Sequence, residues 1–313
     1  MDEHKPVLVD AVLEALAVRP DGCYVDATFG RGGHSERILA ALGPHGRLVA
    51  IDRDRAAIDS GRARFTSEPR LTLVHGAFGD LAALLRAAQP QCPLYHGILI
   101  DCGVSSPQLD DPARGFSFRH DGPLDMRMDA QHGEPVSDWL ARATLEEVRS
   151  VIATLGQERY ARRIAVAIDR ERAQRPLTRT RALAELIERA VPTREPGKHA
   201  ATRTFQALRM WINDELGQLR HALEQALSLL APGGRLAVIS FHSLEDGVVR
   251  DFFARHSHVA PELARLPVVP PSARPRLRLV GRKQRASAAE VAANPRARSA
   301  LLRVAAVVEA EPA

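Results

Sequence analysis

The sequence predicts an α/β fold, a mostly parallel doubly wound sheet into which an all-helical domain is inserted. Three observations carry that expectation. Strand-like segments alternate with amphipathic helices from residue 23 to residue 101; from about Gly115 to Pro196 one helical pattern follows another without a strand; beyond Ala201 the alternation resumes. The division expected is therefore 1–112 with 214–313 for the α/β domain and 113–213 for the helical insert.

The elements follow in order. "CYVDAT", residues 23–28, reads as a short buried strand, and "FGRGGHSERILAALG" behind it as a glycine turn opening a helix with Ile38, Leu39 and Leu42 on its apolar face. "RLVAIDRD" makes a second strand ending on Asp52, with "DRAAIDSGRARF" as its helix. "RLTLVHGAF" makes a third, running to Phe78, followed by the helix "GDLAALLRAA". The fourth strand, "YHGILID", delivers Asp101 into the loop "CGVSSP" with no amphipathic helix directly behind it. Within the insert, Thr144 and Glu147 have the spacing of a capping box. One long helix from Ala201 to Leu230, stopped by "APGGR", leads to a fifth strand over 235–241. The helix "HSLEDGVVRDFFARH" and a final strand, "SALLRVAAVVEA", complete the chain, with crossovers of the usual right hand.

Composition narrows the setting. A chain of 313 residues, 45% hydrophobic, buries a full core. No apolar run approaches the roughly 20 residues of a membrane span, and the acidic, amphipathic N-terminus lacks the pattern of an export signal. Cys23, Cys92 and Cys102 are unevenly spaced without a CxxC, which points away from a disulfide framework or a zinc site and toward a reducing, cytoplasmic location; no metal is expected. The net charge is only +5, yet 40 of the 43 basic residues are arginine, a bias that serves phosphate and base contacts and that a GC-rich genome also produces. The run from Arg274 to Arg285, "RPRLRLVGRKQR", carries no acid, as a solvated loop or a polyanion contact would.

The glycine turn suggests a nucleotide-like ligand. Asp26 stands four residues before Gly30, with Gly32 and Gly33 following, but Ser35 occupies the place of the third glycine in a dinucleotide fingerprint. Asp52, at the end of the second strand, is placed to accept both hydroxyls of a nucleoside ribose, from either NAD or S-adenosylmethionine; capping of the next helix is its plainer role. The amides opening the helix behind the glycines favour an anion. An acid upstream of the first glycine follows the pattern of adenosylmethionine methyltransferases. In a doubly wound sheet the first and fourth strands are neighbours where the strand order reverses, so Asp101 and its loop face the glycine turn across the ligand crevice.

Taken together, "DATFGRGGHS", "AIDRD", "DCGVSSPQLDDPARGFSFRHDGPLDMRMD", "KHAATRTFQALRMWIN", "ISFHSLED" and "NPRARSALLR" closely resemble the RsmH/MraW family of bacterial 16S rRNA cytosine-N4 methyltransferases. The resemblance runs from His4 to Val304; Cys102 stands where the family has leucine, and residues 258–282 match poorly. It implies a class I, Rossmann-like methyltransferase with an inserted helical domain for substrate recognition. It also implies S-adenosylmethionine as cofactor and, as partner, a cytidine of the decoding region of 16S rRNA in the small ribosomal subunit. Cofactor contacts would be Gly32, Gly33, His34, Asp52, Phe78, Asp101 and Gln108. The oligomeric state, homodimer included, is left open.

The chemistry adds candidates. Methyl transfer from a sulfonium is an in-line displacement that needs alignment and exclusion of water. The cytosine amine is a weak nucleophile, so a nearby acceptor helps, and Asp101, Ser105 and Ser106 are the candidates; Ser106-Pro107 shares two positions with the loop of DNA amino-methyltransferases. Reaching the base requires it to be unstacked. "SFHSLED" is expected to hold a helix cap from Ser243 with Asp246, with His242 as a lesser site candidate. Arg114, Arg119 and Arg127 either grip phosphates or pair with local aspartates. Two other functions compete: a nicotinamide-dependent oxidoreductase, disfavoured by Ser35, and a non-catalytic RNA-binding protein on a methyltransferase fold.

Overall fold

The computed structural model describes residues 6–89, 91–193, 197 and 199–309, so His4, Pro196 and Lys198 of the segments above lie outside the described residues. The chain forms two compact units, one from residues 1–103 with 216–313 and one from 104–215. The divisions fall at 103/104 and 215/216, against the 112/113 and 213/214 of the sequence reading. None of the described helices is long and apolar enough to cross a membrane.

The first unit is an α/β layer structure. Its strands are β1 (Cys23–Asp26), β2 (Arg47–Asp52), β3 (Leu71–His75), β4 (Tyr95–Asp101), β5 (Leu230–Ser240), β6 (Leu277–Leu279), β7 (Gln284–Arg285) and β8 (Leu301–Val307). They lie in the order β3-β2-β1-β4-β5-β8-β6, with β7 also on β8. Strands β1 to β5 are parallel, and β8 runs antiparallel to β5. The order reverses between β1 and β4, whose pairing Tyr24–Gly97 through Asp26–Leu99 opens the ligand crevice that doubly wound sheets place there. Central strands buried on both faces read as continuous apolar runs, and Leu48 to Ile51 and Ile98 to Ile100 are all essentially inaccessible.

Helices cover both faces: α1 (Val9–Leu16), α2 (Gly33–Ala41), α3 (Arg55–Arg64) and α4 (Leu81–Ala88) precede the insert. One core packs Leu81, Leu85, Leu219, Leu223, Phe252 and Phe253 on one side of the sheet; another packs Val12, Leu16, Ile38, Leu39 and Leu302 on the other. The third strand is shorter than expected. It stops at His75, and Phe78 opens a 3-10 turn to Asp80 after the bend at Gly76.

The second unit is helical: α5 (Ser106–Asp110), α6 (Val136–Arg142), α7 (Leu145–Thr154), α8 (Ala161–Arg172), α9 (Thr180–Ala190) and α10 (Thr202–Ile212). Its core gathers Trp139, Leu140, Ile152, Ile164, Ile168, Leu183, Ile187 and Phe205. The capping box at Thr144 forms as expected: Thr144 Oγ1 accepts from Glu147 N at 3.2 Å, and the Thr144 amide donates to Glu147 Oε2 at 2.7 Å. The single long helix expected from Ala201 to Leu230 is two. Asn213, almost fully buried, donates to the Met126 carbonyl and accepts from the Met128 amide, Asp214 adopts φ +47°, and α11 begins afresh over Glu215–Leu229. A buried side chain holding two backbone groups outweighs continuing one helix. The first unit then continues with α12 (Ser243–Ser257) and the short α13 (Ala288–Ala293).

Candidate active site

The candidate site of the first unit is built at the carboxyl ends of β1 to β4. Behind β1 the turn needs glycine: Gly30 and Gly32 have φ +55° and +75°, and a Cβ on Gly32 would stand 2.7 Å from the Phe29 ring. Helix α2 starts at Gly33, directly beneath Pro6, so its first amides and the side chain of His34 open at the end of the sheet.

Each carboxylate at these strand ends has a distinct employment. Asp52 accepts the Gly30 amide on Oδ2 at 2.7 Å and the Asp54 amide on Oδ1 at 2.8 Å. It thereby ties the end of β2 to the glycine turn. It does not cap α3; that role belongs to Asp54, which accepts from Ala56 N. Burial raises the Asp52 carboxyl to about 6, against the lowering effect of the two amides. An ionised carboxylate has room for about four hydrogen bonds, so two amide donors leave Asp52 able to accept more.

Asp26 is fully inaccessible and accepts from Ser35 Oγ at 2.7 Å and from Thr28 N at 3.2 Å. Burial raises its carboxyl, and the neighbouring His34 charge, the Ser35 hydroxyl and the Thr28 amide oppose the rise. Ser35, the residue that spoils the dinucleotide fingerprint, is therefore the group that anchors Asp26. Thr28 also accepts the Asp101 amide on Oγ1 at 2.7 Å, which locks β4 to the turn after β1.

His34 and Asp101 meet across the crevice, His34 Nε2 standing 3.5 Å from Asp101 Oδ2. His34 is 6% exposed. Burial works against its charge, but the facing Asp101 carboxylate, with Asp26 and Glu290 behind, raises its pKa overall. Glu290 comes from α13, an element outside the sequence reading, and its Oε1 also accepts the Leu8 amide. Both His34 Nε2 and Asp101 Oδ1 are buried without a hydrogen-bond partner among the described residues. Buried polar atoms are rarely left so, and such a pair marks a place where a polar ligand completes the bonding.

The other candidates are placed as follows. Phe78 lies past the end of β3, half-buried against the core that carries Leu81. Gln108 belongs to the second unit, where its Oε1 accepts the Ser105 amide at 2.9 Å and closes the first turn of α5. Ser105 is the N-cap of that helix and Ser106 its first residue. The loop after β4 thus does turn into a helix, but one of only five residues. Arg127 forks onto Asp125 at 2.8 Å, and Arg114 donates to the Met128 carbonyl; Arg119 is exposed and makes no side-chain bond among the described residues. The cap of α12 is not Ser243 with Asp246. His242 and Glu245 form it reciprocally, while Asp246 pairs with Arg303 at 2.6 Å. Cys23 and Cys92, both free thiols, approach to 2.9 Å, and burial with that contact pushes the Cys23 thiol up to about 12.

The arrangement has the parts of a site for a nucleoside-bearing cofactor: a glycine turn under a helix start, a carboxylate with spare acceptor capacity at the second strand, and unpartnered polar atoms between the first and fourth. Comparison with known proteins narrows this further. Residues 1–308 match the model of the MraW methylase family. The chain is 55% identical over 303 residues to the "Ribosomal RNA small subunit methyltransferase H" of Halorhodospira halophila, covering 96% of this chain and 93% of that one. It is 55% identical to the protein of the same name from Thiobacillus denitrificans, covering 96% of each chain, and 52% identical to that of Azoarcus sp., covering 97% and 96%. A family model matched over nearly the whole length, with relatives above half identity over more than nine-tenths of both chains, makes this chain a member of the MraW methylase family.

Proposed function

We propose that this protein transfers the methyl group of S-adenosylmethionine to the exocyclic N4 of a cytidine in the decoding region of 16S rRNA. The observation that carries the reading is the pair of unpartnered buried atoms, His34 Nε2 and Asp101 Oδ1, where the turn after β1 meets the end of β4. Membership of a methylase family and identity above half to small-subunit rRNA methyltransferases support the substrate class. The residues fit the cofactor's chemistry. Asp52 has acceptor capacity for the ribose hydroxyls, the amides of Gly32, Gly33 and His34 suit a carboxylate, and Phe78 offers an apolar face to the adenine. When bound, S-adenosylmethionine supplies an electrophilic methyl group on a sulfonium.

The protein's share of the work is orientation and proton handling. Asp101 is the candidate to hold the cytosine amine and to accept its proton as the new N–C bond forms, with Ser105 and Ser106 as candidates to orient the base. His34, its pKa raised by the facing carboxylate, stands 3.5 Å from Asp101 and is the candidate to orient it. Gln108 closes the first turn of α5, on which both serines stand. The helical unit is the candidate platform for rRNA, with the exposed Arg119 available to phosphate. A nicotinamide reading fares worse, because the third glycine it needs is Ser35, fully engaged with Asp26.

Mass spectrometry of 16S rRNA from cells with and without this gene tests the proposal. The expected result is the loss of one methyl from a single cytidine base. Identical methylation in both strains refutes the substrate; loss of a methyl from a ribose or another base refutes the acceptor atom.

A further inference from the structure

The acid-free run Arg274–Arg285 has a place in the fold that the proposed chemistry leaves unused. It forms the edge of the sheet. β6 pairs with β8 through Leu277–Val307 to Leu279–Ala305, and β7 through Gln284–Leu302 and Arg285–Leu301. The two are one edge strand interrupted at Gly281, whose φ of +66° lets the chain bulge outward with Arg282 and Lys283. Leu277 is buried and holds the ribbon down, whereas Arg274, Arg276, Arg278, Arg282, Lys283 and Arg285 are all exposed. Among the described residues none of these side chains makes an ion pair or hydrogen bond. Elsewhere in the same unit pairing is common: Arg37 with Asp10, Arg64 with Glu36, Arg70 with Glu68, Arg255 with Glu224 and Arg303 with Asp246.

The register relates this ribbon to the candidate site. Asp101 is level with Ile239, Ile239 with Leu302, and Leu302 with Gln284. Three strand spacings of roughly 4.8 Å put the Gln284 backbone about 14 Å from Asp101 along one line of the sheet. Because β8 is antiparallel to β5, its start and Arg285 beside it lie at the same end as the carboxyl ends of the parallel strands. Charged residues also guard exposed sheet edges against pairing with other chains, and Pro275 and the bulge serve that purpose. Guarding, however, works with either sign of charge. Of the six, Lys283 feels the carboxylate of Asp246, which Arg303 already holds; a row of cations so short of counter-charges repels itself and is relieved by a polyanion.

We propose that the bulged edge strand, through Arg282, Lys283 and Arg285, binds the phosphodiester backbone of the RNA substrate beside the nucleotide held at Asp101. The proposal rests on the rRNA methyltransferase reading above. The test is binding of in vitro transcribed, unmodified 16S rRNA to the full-length protein across a salt series. Wild type is compared with Arg282→Gln/Lys283→Gln/Arg285→Gln and with the charge-preserving Arg282→Lys/Arg285→Lys. For single-stranded contacts each phosphate released lowers the slope of log affinity against log salt by about 0.7, so the glutamine variant should lose about 2 from the slope. The lysine variant should keep the slope. At physiological salt the glutamine variant should also raise KM for RNA about tenfold or more while kcat and adenosylmethionine affinity by calorimetry stay unchanged.

An unaltered slope and KM in the glutamine variant, with cofactor affinity intact, overturns the proposal. The same slope accompanied by concentration-dependent self-association assigns the charges to edge protection and overturns it equally. If wild type itself neither binds nor methylates the RNA, it is the methyltransferase substrate reading that fails.

Discussion

Replacing Asp52 by asparagine separates the two things its carboxylate does. In the protein alone, Oδ1 and Oδ2 accept the Asp54 and Gly30 amides at 2.8 and 2.7 Å. Asparagine keeps one acceptor and turns an NH2 toward the other amide, a loss of about 1–2 kcal/mol. Against this stands a gain. The Asp52 carboxyl sits at about 6 when folded, above its ordinary 3.8, so ionising it in the empty protein costs stability. Its contribution is most favourable below pH 3.8 and declines as pH rises to about 6, after which it is constant. The two effects oppose each other, and Asp52→Asn should fold with near wild-type stability at pH 7.

Cofactor binding has the opposite sign. The ionised carboxylate accepts from the ribose, and one hydrogen bond to a charged group is worth about 1.5–3 kcal/mol, so Asp52→Asn should weaken adenosylmethionine binding roughly 10- to 100-fold. Wild-type affinity should rise as pH increases through about 6 and level off above it; one unit below, only about a tenth of the carboxyl is ionised. Calorimetric titration at pH 5, 6 and 8 measures both. Wild-type affinity that is flat over this range, or an asparagine variant within twofold of wild type at pH 8, refutes the role given to Asp52.

Further outcomes follow from other contacts. Ser35→Ala removes the 2.7 Å bond to the inaccessible Asp26 and should lower stability by about 1–3 kcal/mol, seen as an earlier denaturant midpoint at unchanged slope. Gly32→Ala forces a side chain into φ +75° and against the Phe29 ring, so cofactor binding should fall along with a stability loss of about 1–3 kcal/mol; a fully active variant would show the turn to be tolerant. Asp101→Asn keeps the shape of the site but removes the proton acceptor, and should reduce kcat for methyl transfer by about 100-fold or more, measured at saturating adenosylmethionine. Thr144→Ala should cost the helical unit about 1 kcal/mol through the lost cap, measured by thermal melting, and leave cofactor affinity as it was.

Much of the fold was legible because burial writes itself into the sequence. Strands β1, β2 and β4 are apolar runs that end on Asp26, Asp52 and Asp101, and those carboxylates stand at the strand ends as expected. Helix spacing in the insert was equally plain, down to the capping box at Thr144. The misses have physical reasons. Phe78 reads as strand because it is aromatic and follows β-branched residues, yet the bend at Gly76 releases it into a turn. Strands β6 and β7, three and two residues long with one arginine in each, are too short for an alternation to show; they form because β8 presents an open edge to pair with. Glu290, on a short helix late in the chain, reaches His34 only through folding.

By itself the sequence determined the layered architecture, the position of the glycine turn and which carboxylates end the strands, since these depend on local period, turn chemistry and burial. Only the tertiary structure decided who partners whom. Asp54 rather than Asp52 caps α3, Ser35 anchors Asp26 instead of merely interrupting a motif, and His242 with Glu245 closes α12. It also left His34 Nε2 and Asp101 Oδ1 without partners. Hydrogen bonds among buried groups depend on distances of a few tenths of an ångström between segments far apart in the chain, and spacing along a sequence carries no record of them.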